Sequence, residues 1–294
     1  MTTATEALHQ DARGLDTLAR ADAALLLAEG QIAAAGAVRA AAPDIARAAA
    51  TLARTLRAGG VIHYVAAGSS GLMAAADAAE LGGTFSIPAA QLRIHMAGGL
   101  PTGVEMPGDT EDETQGLERA LDGLAAEDTI VAVSASGTTP YTLEAARIAH
   151  ARGARLVAIA NNAGAPLFDL ADHPILLATP PEVLSGSTRM GAGTAQKIAL
   201  NMLSTLMAVE LGHVHDGMMV NLRADNAKLR ARAAGMVARI AGVAEGVATA
   251  ALDATEGRVK PAILVARGQE PGAAETLLRE TEGNLRAALA RLDP

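Results

Sequence analysis

The chain has 294 residues, half of them apolar, a net charge of −8 and no cysteine. Such a length can bury a sizeable core, while the missing thiols exclude disulfides, thiolate catalysis, zinc ribbons and iron–sulfur clusters. With two Tyr, two Phe, no Trp and no basic run, the chain lacks the stacking platforms and the basic face of nucleic-acid binders, so no nucleic-acid partner is expected.

Residues 1–12 read as a loose, polar arm without a signal pattern. No apolar run reaches the roughly 20 residues that cross a bilayer. The expectation is therefore no membrane partner and a cytoplasmic location. Leu15, Leu18, Ala21 and Leu25 give helical spacing over 14–30, and a second helix is predicted over 32–56, with Pro43 as a break. Strands are predicted over 61–66, 92–96, 129–134, 155–160 and 174–178, with helices over 70–81, 112–125, 141–152 and 164–171. That alternation reads as a parallel sheet covered on both faces, with its ligand at the carboxyl ends of the strands. A long helix within 185–211 carries the apolar stripe Ile198, Met202, Leu203, Leu206 and Val209. Helical patterning resumes after Gly217 through Ala254, and a last helix is predicted over 272–292. The expected division is an N-terminal helical segment over 1–55, a sheet domain over 56–220 and a helical region over 221–294.

Two loops of small hydroxyl residues follow apolar strands. Ala67-Gly68-Ser69-Ser70-Gly71 follows Val61–Val65, and Ser134-Ala135-Ser136-Gly137-Thr138-Thr139 follows Thr129–Val133. A third cluster, Ser185-Gly186-Ser187-Thr188, precedes the long helix. Hydroxyl loops at helix starts supply free N–H groups, a favourable dipole and side-chain donors, which together make an anion site. Helix capping alone would explain one such loop; three together favour phosphate. Neither strand-end loop is a Walker or a G-x-G-x-x-G loop. The expected ligand is a phosphorylated small molecule, held by Ser69, Ser70, Gly71, Ser134, Ser136, Thr138, Thr139, Ser187 and Thr188, with no cofactor.

Glu80 is a charge in the small, apolar stretch Ala75–Gly83, where a buried acid needs a partner or a raised pKa; a solvated helix end is the plainer alternative. Glu111 lies in the acidic stretch 109–113, a pattern that usually marks a solvated face. His213 and His215 invite a metal reading, but no third ligand stands at a known spacing, so no metal is expected. Tyr141 suits packing better than catalysis. Asn226 and Lys228 fit a site or an exposed helix face equally well.

The segment Ser185-Gly-Ser-Thr-Arg-Met-Gly-Ala-Gly-Thr-Ala-Gln-Lys197 with Leu200-Asn-Met-Leu-Ser-Thr205 resembles the signature of the N-acetylmuramic acid 6-phosphate etherases. Residues 135–141, Asn226-Ala-Lys-Leu229 and Thr5-Glu6 extend the likeness along the chain. The resemblance implies an α/β fold: a parallel-sheet sugar isomerase (SIS) sandwich with N-terminal helices and a small C-terminal helical appendix. It implies a carbon–oxygen lyase that cleaves the D-lactyl ether of a phosphorylated amino sugar, N-acetylmuramic acid 6-phosphate. It also implies two catalytic glutamates, Glu80 in Asp77–Glu80 and Glu111 in Glu111-Asp112. The chain departs from the family pattern at Leu72 and Thr138, where Arg is usual, and at Gly82-Gly83, where Pro is common. A non-catalytic sugar-phosphate sensor and an aldose–ketose isomerase are the alternatives.

Glu80 is ten residues past Ser70, about 15 Å along an unbroken helix, longer than a sugar phosphate. Either the helix breaks, or Glu80 serves the site of a second copy. The latter predicts a homodimer with shared sites.

Overall fold

A computed structural model describes residues 3–106, 110–222, 224 and 226–292. The chain forms two compact units, Met1–Ala79 with Ala90–Ser204 and Glu80–Ala89 with Thr205–Pro294.

The first unit opens with α1 (Arg20–Ala37), a 3-10 turn at Val38–Ala41 and α2 (Ala42–Arg57). Pro43 does not split a helix. It sits in the first turn of α2, where a missing N–H leaves no bond unmade. Contrary to the sequence expectation, the stretch Arg20–Arg57 is long and apolar enough by composition to cross a bilayer. Its second half buries Ile45, Ala48, Leu52 and Leu56 and packs on the sheet, whereas its more apolar first half is mostly exposed, with Ala34 the buried residue of α1.

The sheet has five parallel strands: β1 (Ile62–Ala66), β2 (Leu92–Met96), β3 (Thr129–Ser134), β4 (Arg155–Ala160) and β5 (His173–Leu176). Their order is β2-β1-β3-β4-β5. All five predicted strands are present, and the three central ones are almost wholly buried, which is why they read as continuous apolar runs. Ile62 pairs with both Leu92 and Thr129, so β1 lies between β2 and β3. The order reverses there, and such a switch point opens a crevice beyond the carboxyl ends of the strands.

Helix α3 (Gly68–Phe85) follows β1, and α5 (Pro140–Arg152) follows β3. Alternation puts them on opposite faces: Tyr64 reaches Asp77 of α3, whereas Val65 clusters with Tyr141, Ala145 and Ala149 of α5. The helix predicted over 112–125 is only the turn α4 (Leu117–Ala120). The chain is bent there by left-handed Gly116 and by Asp128, whose carboxylate accepts from Ala125 N at 2.8 Å and Val61 N at 2.7 Å. The helix predicted over 164–171 is a 3-10 turn at Pro166–Leu170. The long helix, α6 (Gly191–Glu210), starts later than the Ser185 cluster.

In the second unit, a hairpin of β6 (Val214–His215) and β7 (Met218–Met219) precedes α7 (Ala227–Ala241), α8 (Glu245–Ala254), α9 (Val259–Ala266), α10 (Pro271–Glu280) and α11 (Leu285–Leu292). The single helix predicted over 272–292 is two. Glu282 (φ 53°) and Gly283 (φ 74°) turn left-handed between them, and a helix cannot continue through that region. Residues Ala233, Val237, Ala248, Ile263, Ala274 and Leu285 centre a separate apolar core. Ser86 and Asn221 bond reciprocally here: Ser86 Oγ donates to Asn221 O, and Asn221 Nδ2 donates to Phe85 O.

Candidate active site

The three hydroxyl segments converge on one cavity of about 180 Å³ in the first unit. Ser69 and Ser70 line it from the start of α3, Ser134, Ser136 and Thr139 from the β3–α5 loop, and Gly186 and Thr188 from the third cluster. Glu111, Thr5 and Glu6 complete the polar lining. Three larger cavities lack hydroxyl loops: two, of about 480 and 460 Å³, lie in the second unit, the latter beside the Arg258–Glu275 ion pair, and one of about 370 Å³ lies beside α4 in the first.

The second loop is organised by its own hydroxyls. Ser134 Oγ accepts from Gly137 N at 3.0 Å and pairs with Thr139 Oγ1 at 2.9 Å. Ser136 Oγ accepts from Thr138 N at 3.1 Å and Thr138 Oγ1 at 2.9 Å. Gly137 has φ 71°, and a Cβ there would strike Ala165, so only glycine fits this turn. These bonds hold the loop in a concave shape.

Glu111 is exposed, within the acidic stretch, of which Asp109 lies outside the described residues. Its backbone is nevertheless fixed, because Tyr141 N donates to Glu111 O at 3.2 Å. Its Oε1 lies so close to Gly68 that a Cβ there would collide with it. A carboxylate is thus pressed against the first turn of α3, beside the hydroxyl loop.

Other candidates fall elsewhere. Gly71, Thr138 and Ser187 are not among the described lining residues. Gly71 is a packing glycine: its Cβ would meet Met96 Cγ at 2.9 Å. Thr138 is exposed and braces its own loop. Glu80 is not buried among alanines, as the sequence suggests, but exposed on α3 in the segment belonging to the second unit. Helix α3 is unbroken from Gly68 to Phe85, so the broken-helix alternative fails. The buried acid of this helix is Asp77, three residues earlier. It accepts from Asn201 Nδ2 at 2.7 Å, Ser204 Oγ at 2.9 Å and Tyr64 Oη at 3.2 Å. Burial, with Asp77 beside it, pushes the Tyr64 phenol well above its ordinary pKa.

The arm over residues 1–12 is not loose where it matters. Thr5 is buried and paired twice with Asn162: Thr5 N donates to Oδ1 at 3.2 Å, and Nδ2 donates to Thr5 Oγ1 at 2.9 Å. Glu182, also missed in the sequence, caps α6 by accepting from Gly191 N and Ala192 N, both at 2.8 Å. A nearby acid before a helix start is its only signal. Tyr141 packs in the α5 face of the core. Asn226 caps α7 through Leu229 N at 3.0 Å. His215 faces Asp216 at 3.6 Å, and among the described residues no cluster of three or more His, Asp or Glu is arranged to hold a metal ion.

Residues 28–161 match the model of the SIS domain. The chain is 44% identical, over 89% of its length, to the N-acetylmuramic acid 6-phosphate etherase of Deinococcus radiodurans, covering 86% of that protein. This chain belongs to the N-acetylmuramic acid 6-phosphate etherase family. The etherase of Streptomyces avermitilis is 41% identical over 98% of this chain and 94% of its own. The solved structure of a phosphoheptose isomerase from Francisella tularensis covers 65% of this chain and 100% of its own at 18% identity, with a TM-score of 0.44. The fold is that of a SIS domain: a parallel five-stranded sheet flanked by helices.

Proposed function

We propose that this chain is an etherase that splits N-acetylmuramic acid 6-phosphate into N-acetylglucosamine 6-phosphate and D-lactate. The observation that carries the reading, beside family membership, is one cavity lined by three hydroxyl loops and two carboxylates, Glu6 and Glu111. The phosphate binds the second loop, where Ser134, Ser136 and Thr139 surround the start of α5, and a helix N-terminus favours the dianion. The described lining holds no Arg or Lys, so hydroxyl and backbone donors carry that recognition.

In the open-chain sugar, C2–H is acidified by the C1 aldehyde, and the lactyl oxygen leaves from C3. A carboxylate takes the C2 proton, the C2–C3 double bond forms, and the C3–O bond breaks. A carboxylic acid protonates the departing oxygen, releasing D-lactate. Water then adds to C3, and C2 is reprotonated. General acid–base groups contribute roughly 10²–10⁴-fold each. Glu80 serves as the principal acid/base, and Glu111 as the second carboxylate, which activates water.

The protein works as a cytoplasmic homodimer with shared sites. Glu80 lies about 15 Å along a continuous helix from Ser70, which supports its completing the cavity of a second copy. The absence of guanidinium groups at Leu72 and Thr138 favours one competing reading, a sugar-phosphate sensor without turnover. Incubation with N-acetylmuramic acid 6-phosphate separates the two: free D-lactate supports the etherase, and binding without lactate supports the sensor.

A further inference from the structure

The cavity contains a carboxylate that the reaction above leaves without a role. Among the described lining residues, Glu6 and Glu111 are the only charged ones. Glu6 follows Thr5 directly, and Thr5 is locked to Asn162 by two hydrogen bonds of 3.2 and 2.9 Å. Asn162 Nδ2 also donates to Ser136 O at 3.2 Å. Asn162 therefore ties the arm to the phosphate-type loop itself. The arm turns tightly there, with Glu6 N and Ala7 N both bonded to Thr3 O. Glu6 is thus placed at the cavity by a buried clamp on its neighbour.

A carboxylate accepts hydrogen bonds and repels anions. Facing a ligand that carries a phosphate, it can pair only with the donor-bearing part, a sugar hydroxyl or the acetamide N–H. We propose that Glu6 orients the sugar: it accepts a hydrogen bond from a donor of the amino-sugar body, while the neighbouring hydroxyl loops take the phosphate. Asn162 acts as its positioning residue. The inference rests on the phosphosugar reading of this cavity, though not on turnover.

The test measures binding of N-acetylglucosamine 6-phosphate and of inorganic phosphate to the full chain, by calorimetry. One hydrogen bond to a charged acceptor corresponds to roughly tenfold or more in affinity. Glu6→Ala should weaken the sugar phosphate by about that factor while leaving inorganic phosphate within about twofold, whereas Asn162→Ala, which also removes the bond to Ser136 O of the phosphate loop, should weaken both ligands. Glu6→Gln, which keeps a carbonyl acceptor, should recover part of the loss. Wild-type affinity of Glu6→Ala for the sugar phosphate overturns the inference. So does equal weakening of both ligands in that variant, which would mean a merely structural arm, and so does a wild-type chain that does not bind the sugar phosphate. If the wild type binds the sugar phosphate but releases no lactate from the ether, the catalytic reading fails, and the Glu6 result stands on its own.

Discussion

Glu111 Oε1 occupies the space that a Cβ on Gly68 would need. Gly68 also has φ 53°, a conformation that other residues resist. The two residues fix each other: the glycine admits the carboxylate, and the carboxylate meets the first turn of α3. Gly68→Ala should displace Glu111. A misplacement of about 1 Å costs on the order of 10²-fold in rate. Steady-state lactate release should fall by about that factor in kcat, with far less change in affinity for N-acetylglucosamine 6-phosphate. Unchanged kcat would remove Glu111 from the chemistry.

Glu80→Gln should abolish lactate release and leave phosphosugar binding largely intact, because the amide keeps size and hydrogen bonding but takes no proton. Mixing it with the inactive pair Ser136→Ala, Thr139→Ala tests the shared site. Mixed dimers should regain activity, since one composite site then carries neither defect. Absence of complementation, with subunit exchange verified, would refute site sharing.

His63 and His95 stack with ring centroids 5.3 Å apart and their nitrogens at 3.0 Å, with Asp128 at 3.6 Å from His63. Burial lowers both pKa values, that of His95 from 6.5 to about 4. Below the unfolded value of 6.5 the unfolded chain therefore binds protons that the folded chain refuses. The stability contributed by the neutral pair is present above that pH and is lost as pH falls toward about 4. Thermal unfolding between those limits should show a slope that flattens in His95→Asn. An unchanged slope would place the acid sensitivity elsewhere.

Lys260 is buried, with Nζ donating to Gly283 O at 2.8 Å, and burial lowers its pKa from 10.5 to about 8. Between those values the unfolded chain holds a proton that the folded chain releases, so stability rises with pH across that window. Relative to Lys260→Met, the wild type should gain in unfolding temperature from pH 8 to pH 10. A constant difference would show that the ammonium is not penalised by its surroundings.

The order of strands and helices, the parallel sheet and the three hydroxyl loops were legible because they rest on local pattern. Buried β1, β3 and β4 are continuous apolar runs, and serine, threonine and glycine have few other reasons to follow three elements. Boundaries failed where a local bond overrode periodicity, as at Asp128 beside α4 and at the left-handed Gly283. In the candidate site, the residue pattern by itself pointed to the hydroxyl chemistry, whereas Glu111 lies in an acidic stretch that reads as a solvated face and was singled out only by the family resemblance. Only the tertiary structure decided that Asp77 is the buried acid of α3 and Glu80 the exposed one: residues three apart lie on neighbouring parts of one helix face, and what separates these two is that Asn201, Ser204 and Tyr64 pack against Asp77. Only it brought Thr5 to Asn162, 157 residues away, and so Glu6 to the cavity. Contacts across such separations come from the sheet's strand order and leave no periodic trace in the chain.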